Sequence, residues 1–120
     1  MLRKKVLLPA SDGNAGNTFH FQRVWVDEQL ANFQQLLNDA RVVPTTKDDK
    51  PYFMFQYIKE ESIYEKLGLK KNDIILEING FVVDSVGKAL KLLEVLQSER
   101  EISLKVEREG NAVQFHYYID

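Results

Sequence analysis

The sequence predicts an α+β domain: a small, largely antiparallel sheet flanked by helices. Three observations carry this. Tyr52–Ile58 and Ile102–Val106 alternate with the period of strands, while apolar residues after Asp27 and after Asp84 recur at helical spacing. Between them, Ser62 to Gly80 holds a capped short helix, a glycine stop, a buried strand and a hairpin turn.

Taken in order, Pro9 to Thr18 is rich in Ser, Gly and Asn and reads as a flexible lead-in, with residues 1–20 set apart from the folded part. Phe19, Phe21, Val24 and Val26 read as a short strand. Asp27 then caps a helix carrying Leu30, Phe33, Leu37 and Ala40, which must end before Pro44 because the residue preceding a proline avoids helical angles. Residues 21–50 thus form a strand and helix packing on the rest. Lys47 to Pro51 is a polar turn, and Tyr52–Ile58 is a strand with apolar groups on both faces.

Ser62 and Glu65 have capping-box spacing, Gly68 stands where a helix end needs a left-handed residue, and Leu69 is placed to fold back over the last turn. Ile74 to Ile78 is a short β-branched strand, Asn79-Gly80 its hairpin turn and Phe81-Val82-Val83 its return. Asp84 or Ser85 caps a longer helix with Val86, Ala89, Leu90, Leu93 and Leu96 on one face. Ile102–Val106, a turn at Glu109-Gly110-Asn111 and Val113–Ile119 close the sheet.

Composition excludes several classes of function. The chain has 120 residues, enough for one domain, with 44% hydrophobic and 28% charged residues. A net charge of -2 gives no nucleic-acid footprint, and the absence of cysteine excludes disulfides and thiolate metal sites. No apolar run approaches the roughly 20 residues of a membrane helix, and Val6-Leu7-Leu8 is too short for a signal peptide before Pro9, so a membrane anchor is expected only on a segment absent from this chain. His20 and His116 are the only histidines and lie far apart in sequence. Asp48-Asp49 and Glu60-Glu61 sit in polar turns that would not raise a carboxyl pKa. Ser62 is employed as a cap. No catalytic residue, metal ligand or cofactor is expected.

From Tyr52 to Asp120 the element order resembles a bacterial PDZ domain. The residues that carry the likeness are Ser62 through Gly68-Leu69 and Asn72-Asp73-Ile74-Ile75-Leu76-Glu77-Ile78-Asn79-Gly80, followed by the long helix and Leu104 to Gly110. The resemblance implies a small antiparallel sheet or partial barrel capped by two helices, here with an extra N-terminal helix and a PDZ unit at residues 51–120. Upstream, Arg23-Val24-Trp25-Val26-Asp27 and Ala40-Arg41-Val42-Val43-Pro44 are similar to the C-terminal region of the type II secretion system's inner-membrane C component. That similarity implies a non-enzymatic interaction module on the periplasmic side of the inner membrane. Its partner would be a protein or peptide, either a secretin periplasmic domain or a secreted protein.

In PDZ domains a peptide adds as a strand to a sheet edge beside the long helix. The resemblance maps the edge to Tyr52, Phe53, Met54, Phe55 and Gln56, and the helix face to Val86, Leu90 and Leu93. Val86 stands where some PDZ domains carry a histidine, which implies an apolar ligand side chain. Pro51 and Tyr52 stand where the family has a glycine opening the strand, so carboxylate capture is not expected there. Two other readings are a regulatory PDZ domain of a periplasmic or membrane protease that binds peptide C-termini, and a domain that mainly forms homo-oligomers.

Overall fold

In the computed structural model, which describes residues 17–89, 94 and 97–120, the first half of the chain runs β1 (Thr18–Phe21), α1 (Arg23–Ala31), α2 (Phe33–Asn38), β2 (Ala40–Lys47) and β3 (Lys50–Ile58). There follow α3 (Ile63–Lys66), β4 (Ile74–Ile78), β5 (Phe81–Val82), β6 (Glu101–Arg108) and β7 (Asn111–Ile119). Residues 86–89 begin a further helix. The strands make one open sheet in the order β1-β7-β6-β4-β3-β2, with β5 paired to β4 off that path. Pairing is antiparallel except for β1 beside β7. Since β6 takes one side of β4 throughout, β5 must lie on the other, continuing the line of β3.

Three two-residue turns set the registers. Asp48-Asp49, Asn79-Gly80 and Glu109-Gly110 each have both central residues at positive φ, the type I′ geometry whose twist matches that of the flanking strands. They close on the pairs Lys47 with Lys50, Ile78 with Phe81, and Arg108 with Asn111. The helix α3 ends in a Schellman motif. Gly68, at φ 90, donates its N–H to Glu65 O (2.9 Å), and Leu69 N–H donates to Tyr64 O (3.1 Å). At its start Ser62 Oγ accepts from Glu65 N–H, while the Glu65 carboxylate reaches back to Glu61 N–H at 3.1 Å.

The core lies on one face of the sheet. Phe55, Leu69, Leu104, Val106, Phe115 and Tyr117 form its buried cluster, with Phe19 and Phe21 packed against it from β1. Each fully buried side chain of the larger apolar kind contributes about 1.5–3 kcal/mol. Tyr117 sits in this cluster because its hydroxyl donates to Leu67 O at 2.6 Å.

Two expectations for the N-terminal part change. The helix starts at Arg23, before Asp27, because the Arg23 amide donates to Asp120 O (3.0 Å) and the Trp25 ring stacks on Phe21. These long-range contacts outweigh the local cap signal at Asp27, which instead sits 3.6 Å from Arg23. Ala40 belongs not to a helix but to β2, as does Pro44. Strands β1 and β2 are therefore part of the same sheet as the segment after residue 51. Residues 1–16 of the expected lead-in lie outside the described residues, while Thr18 to His20 stand in β1.

Candidate functional site

Strands β1 and β2 stand at the two ends of the sheet order, and the register of β2 against β3 tells which of its backbone groups face outward. Counting from the turn, Lys47, Thr45 and Val43 face β3 with their backbone groups, and Thr46, Pro44 and Val42 face away. The two prolines fall in register with this alternation. Pro44 directs its missing N–H outward, and Pro51, opposite Thr46, loses no bond to β2. The outward edge therefore offers N–H groups at Val42 and Thr46 and carbonyls at Val42, Pro44 and Thr46. The side chains of Val42 and Pro44 lie on the same face as Phe55 and Phe53, their partners across the pair, and Val42 is 44% exposed.

The expected edge at Phe53 to Gln56 is corrected by this topology. Strand β3 lies between β2 and β4, and its backbone is used on both sides. Phe55 N–H donates to Asp73 O at 2.9 Å, and Phe55 O accepts from Asn72 N–H at 2.6 Å. Tyr52 and Met54 pair with Thr45 and Val43, and Gln56 is the extra residue where the register shifts. Phe55 is buried in the core cluster, while Phe53 is half-buried on the same face of the sheet. Pro51-Tyr52 consequently lies beside the Asp48-Asp49 turn and not at the head of the accepting edge. Val86 opens the helix that follows Ser85, whose Oγ accepts from Lys88 N–H at 3.2 Å. Val86 is 64% exposed, and Phe81 and Val82 nearby in sequence are exposed as well. Leu90 and Leu93 lie outside the described residues.

Buried polar contacts hold the accepting strands in place. Asp73 is fully buried and takes two bonds from Arg108, Nε to Oδ1 at 2.9 Å and Nη2 to Oδ2 at 2.7 Å. Its Oδ2 also accepts from Lys70 N–H (2.8 Å), while Arg108 Nη2 donates to Gly68 O (2.9 Å). This unit fixes the 68–73 loop that is bonded to Phe55. Arg108 is held even more firmly charged than a free arginine, chiefly by its bond to Asp73. At the head of β2, Tyr64 Oη donates to Leu36 O at 2.7 Å, and burial raises its pKa, with the Asp39 charge adding to the effect. At the far end Lys47 sits 3.1 Å from Glu107, which raises its pKa and ties β2 across the sheet.

Arg23 was legible only as the head of a motif. Its side chain donates from Nη1 to Gln97 O at 3.1 Å and from Nη2 to Glu99 O, joining α1 to the segment before β6. His20 and His116, far apart in sequence, are brought onto neighbouring strands, His20 opposite Tyr118 and His116 opposite Thr18. No group of three metal-ligating side chains occurs among the described residues.

The described residues thus form an open sheet that ends at β2 in a partly apolar strand. The family model described as the PDZ domain matches residues 38–117, most of the chain, and the chain belongs to that family. PDZ domains are generally non-catalytic interaction modules that bind peptide or protein ligands. Among solved structures, the chain is similar to the PDZ domain of EpsC from Vibrio cholerae, with 23% identity and a TM-score of 0.54 over 79% of this chain and 95% of that one. It is also similar to the PDZ domain of the pullulanase C protein of the type II secretion system from Klebsiella pneumoniae, solved in complex with fatty acid. There the identity is 26% and the TM-score 0.52, over 78% of this chain and 98% of that one. The HtrA3 PDZ domain bound to a phage-derived ligand is similar at 17% identity and a TM-score of 0.53, over 67% of this chain and 80% of that one. No curated protein matches the chain.

Proposed function

We propose that this chain is a protein-interaction module of a bacterial type II (general) secretion pathway, working on the periplasmic side of the inner membrane. It would bind an extended segment of a secretin periplasmic domain or of a secreted protein by adding it to β2. The observation that carries the binding mode is the outward edge at Val42, Pro44 and Thr46 in a PDZ sheet. Apolar side chains at Val42, Phe53 and Val86 would select apolar ligand residues. The pathway assignment draws support from the Arg23 to Pro44 preface and from the likeness to the pullulanase C domain, which spans nearly all of that domain. For a regulatory role in a protease, the likeness to the HtrA3 PDZ domain, at 17% identity, extends to the fold alone.

A titration of the 15N-labelled chain with secretin periplasmic domains, and separately with secreted proteins, tests the proposal. Amide shifts are expected at Val42 to Thr46 and at Val86, and Val42→Asp should weaken binding at least tenfold. Binding that leaves the β2 amides unmoved and is indifferent to Val42→Asp would sink the edge mechanism. Failure of every secretion component to bind would sink the pathway assignment.

A further inference from the structure

We infer that the β2 edge takes an extended segment from the interior of a partner chain and not a free C-terminal carboxylate. The inference rests on the strand-addition reading above and names the class of ligand that reading admits.

Capture of a terminal carboxylate needs consecutive unspent N–H groups converging at one end of the accepting strand. At the head of β2 there is no loop to supply them. Helix α2 runs to Asn38 and β2 begins at Ala40, with Asp39 alone between them. The amides of the last helical turn are used inside the helix, and Asp39 N–H donates to Gln35 O at 3.0 Å. The Asp39 carbonyl is spent as well, accepting from Lys59 N–H at 2.8 Å.

The charges at this end point the same way. Asp39 is a nearly buried carboxylate that accepts from Gln35 Nε2 at 2.7 Å, so the group built into the strand entry is itself an anion. Lys59 lies 3.9 Å from it and is already its counter-ion. Arg41 is the other cation nearby, but strand alternation puts it on the face opposite Ala40 and Val42, away from the apolar side of the edge.

The opposite end of the edge is equally unsuited, which removes the choice of ligand direction. The turn there is Asp48-Asp49, two more carboxylates. Lys47 beside it is engaged by Glu107 at 3.1 Å and Asp48 at 3.3 Å. A ligand strand of either polarity would bring its terminal carboxylate against an acidic group, where outward amides alternate along the strand and no consecutive set converges to receive it. A segment that continues past both ends carries no such charge.

Two libraries of random decapeptides selected on the full chain test this. One displays the peptides with free C-termini, and the other inserts them within a carrier loop so that both ends continue. The inserted library is expected to enrich, and synthetic versions of its winners should bind equally, within about twofold in Kd, as free acids and as C-terminal amides. Enrichment of the free-end library alone, with amidation weakening binding more than about tenfold, overturns the inference while leaving strand addition standing. If winners of either library bind without moving the Val42 and Thr46 amides, the strand-addition reading fails and this inference with it.

Discussion

Cutting the Asp73–Arg108 pair from either side should give unequal losses of stability. Arg108→Met leaves a fully buried carboxylate with, among the described residues, Lys70 N–H as its remaining partner. An uncompensated buried charge of this kind costs about 3–5 kcal/mol. Asp73→Ala strands a guanidinium whose side chain is 24% exposed, so water can reach it and the cost of its isolation is reduced. That variant also orphans Lys70 N–H, a loss of about 1–3 kcal/mol, which puts its total near ~2–3 kcal/mol. Trp25 is the only tryptophan, and its ring stacks on Phe21, so its fluorescence reports unfolding in urea. With an m-value of about 1.5–2 kcal/mol/M, Arg108→Met should lower the urea midpoint by about 2 M and Asp73→Ala by about 1–1.5 M. The 68–73 loop is bonded to Phe55, so amides of β3 should lose exchange protection in both variants. Midpoint shifts under about 0.3 M in both, or a larger loss for Asp73→Ala, would refute the reasoning.

Three further outcomes are expected. Gly68→Ala places a Cβ 2.9 Å from Phe115 and 3.0 Å from Phe19 at a φ of 90, so calorimetry should show Tm lowered by about 5–10 °C; an unchanged Tm would contradict the packing. The phenols of Tyr117 and Tyr64 both have pKa values raised mainly by burial. The unfolded chain therefore loses these protons first, so the stability they contribute is complete below about pH 10 and lost as pH rises above it. Tm measured from pH 8 to 11 should fall more steeply for the wild type than for Tyr117→Phe, which at neutral pH costs about 1 kcal/mol for the bond to Leu67 O. Pro44→Ala restores an outward N–H on β2 and should tighten ligand binding by about two- to tenfold in calorimetric titration. No gain there would mean that a ligand strand does not pair at this position.

Much of the fold was legible because its signals are local. The Ser62 cap, the Gly68 stop, the Asn79-Gly80 and Glu109-Gly110 turns and the alternation of Ile102–Val106 each involve residues within a few positions of one another. The turn at Asp48-Asp49 was visible only as a polar stretch, since two aspartates at positive φ carry no glycine to announce the type I′ geometry. Ala40, expected on a helix ending before Pro44, and Lys47, expected in the turn, both belong to β2 for a related reason. Ala40 continues the helical spacing of Leu30, Phe33 and Leu37, and only pairing with β3 makes its segment a strand. The Asp73–Arg108 unit joins residues 35 apart, and Arg23 reaches carbonyls more than 70 positions away, distances over which sequence pattern carries no signal.

By itself, then, the sequence determined the kind of domain and the conformation of most of its segments, since capping, turn chemistry and strand alternation act within the segment that displays them. The tertiary structure alone decided that β2, and not β3, stands at an end of the sheet, with β1 at the other end. Tyr52–Ile58 and Ala40–Lys47 are both apolar enough to take that place. Phe55 donates its N–H to Asp73 O and accepts from Asn72 N–H, which closes one side of β3, and the turn at Asp48-Asp49 seats β2 against the other. An edge is the strand left with unpaired groups after every other pairing is made, so it is a property of the assembled sheet and not of any segment in it.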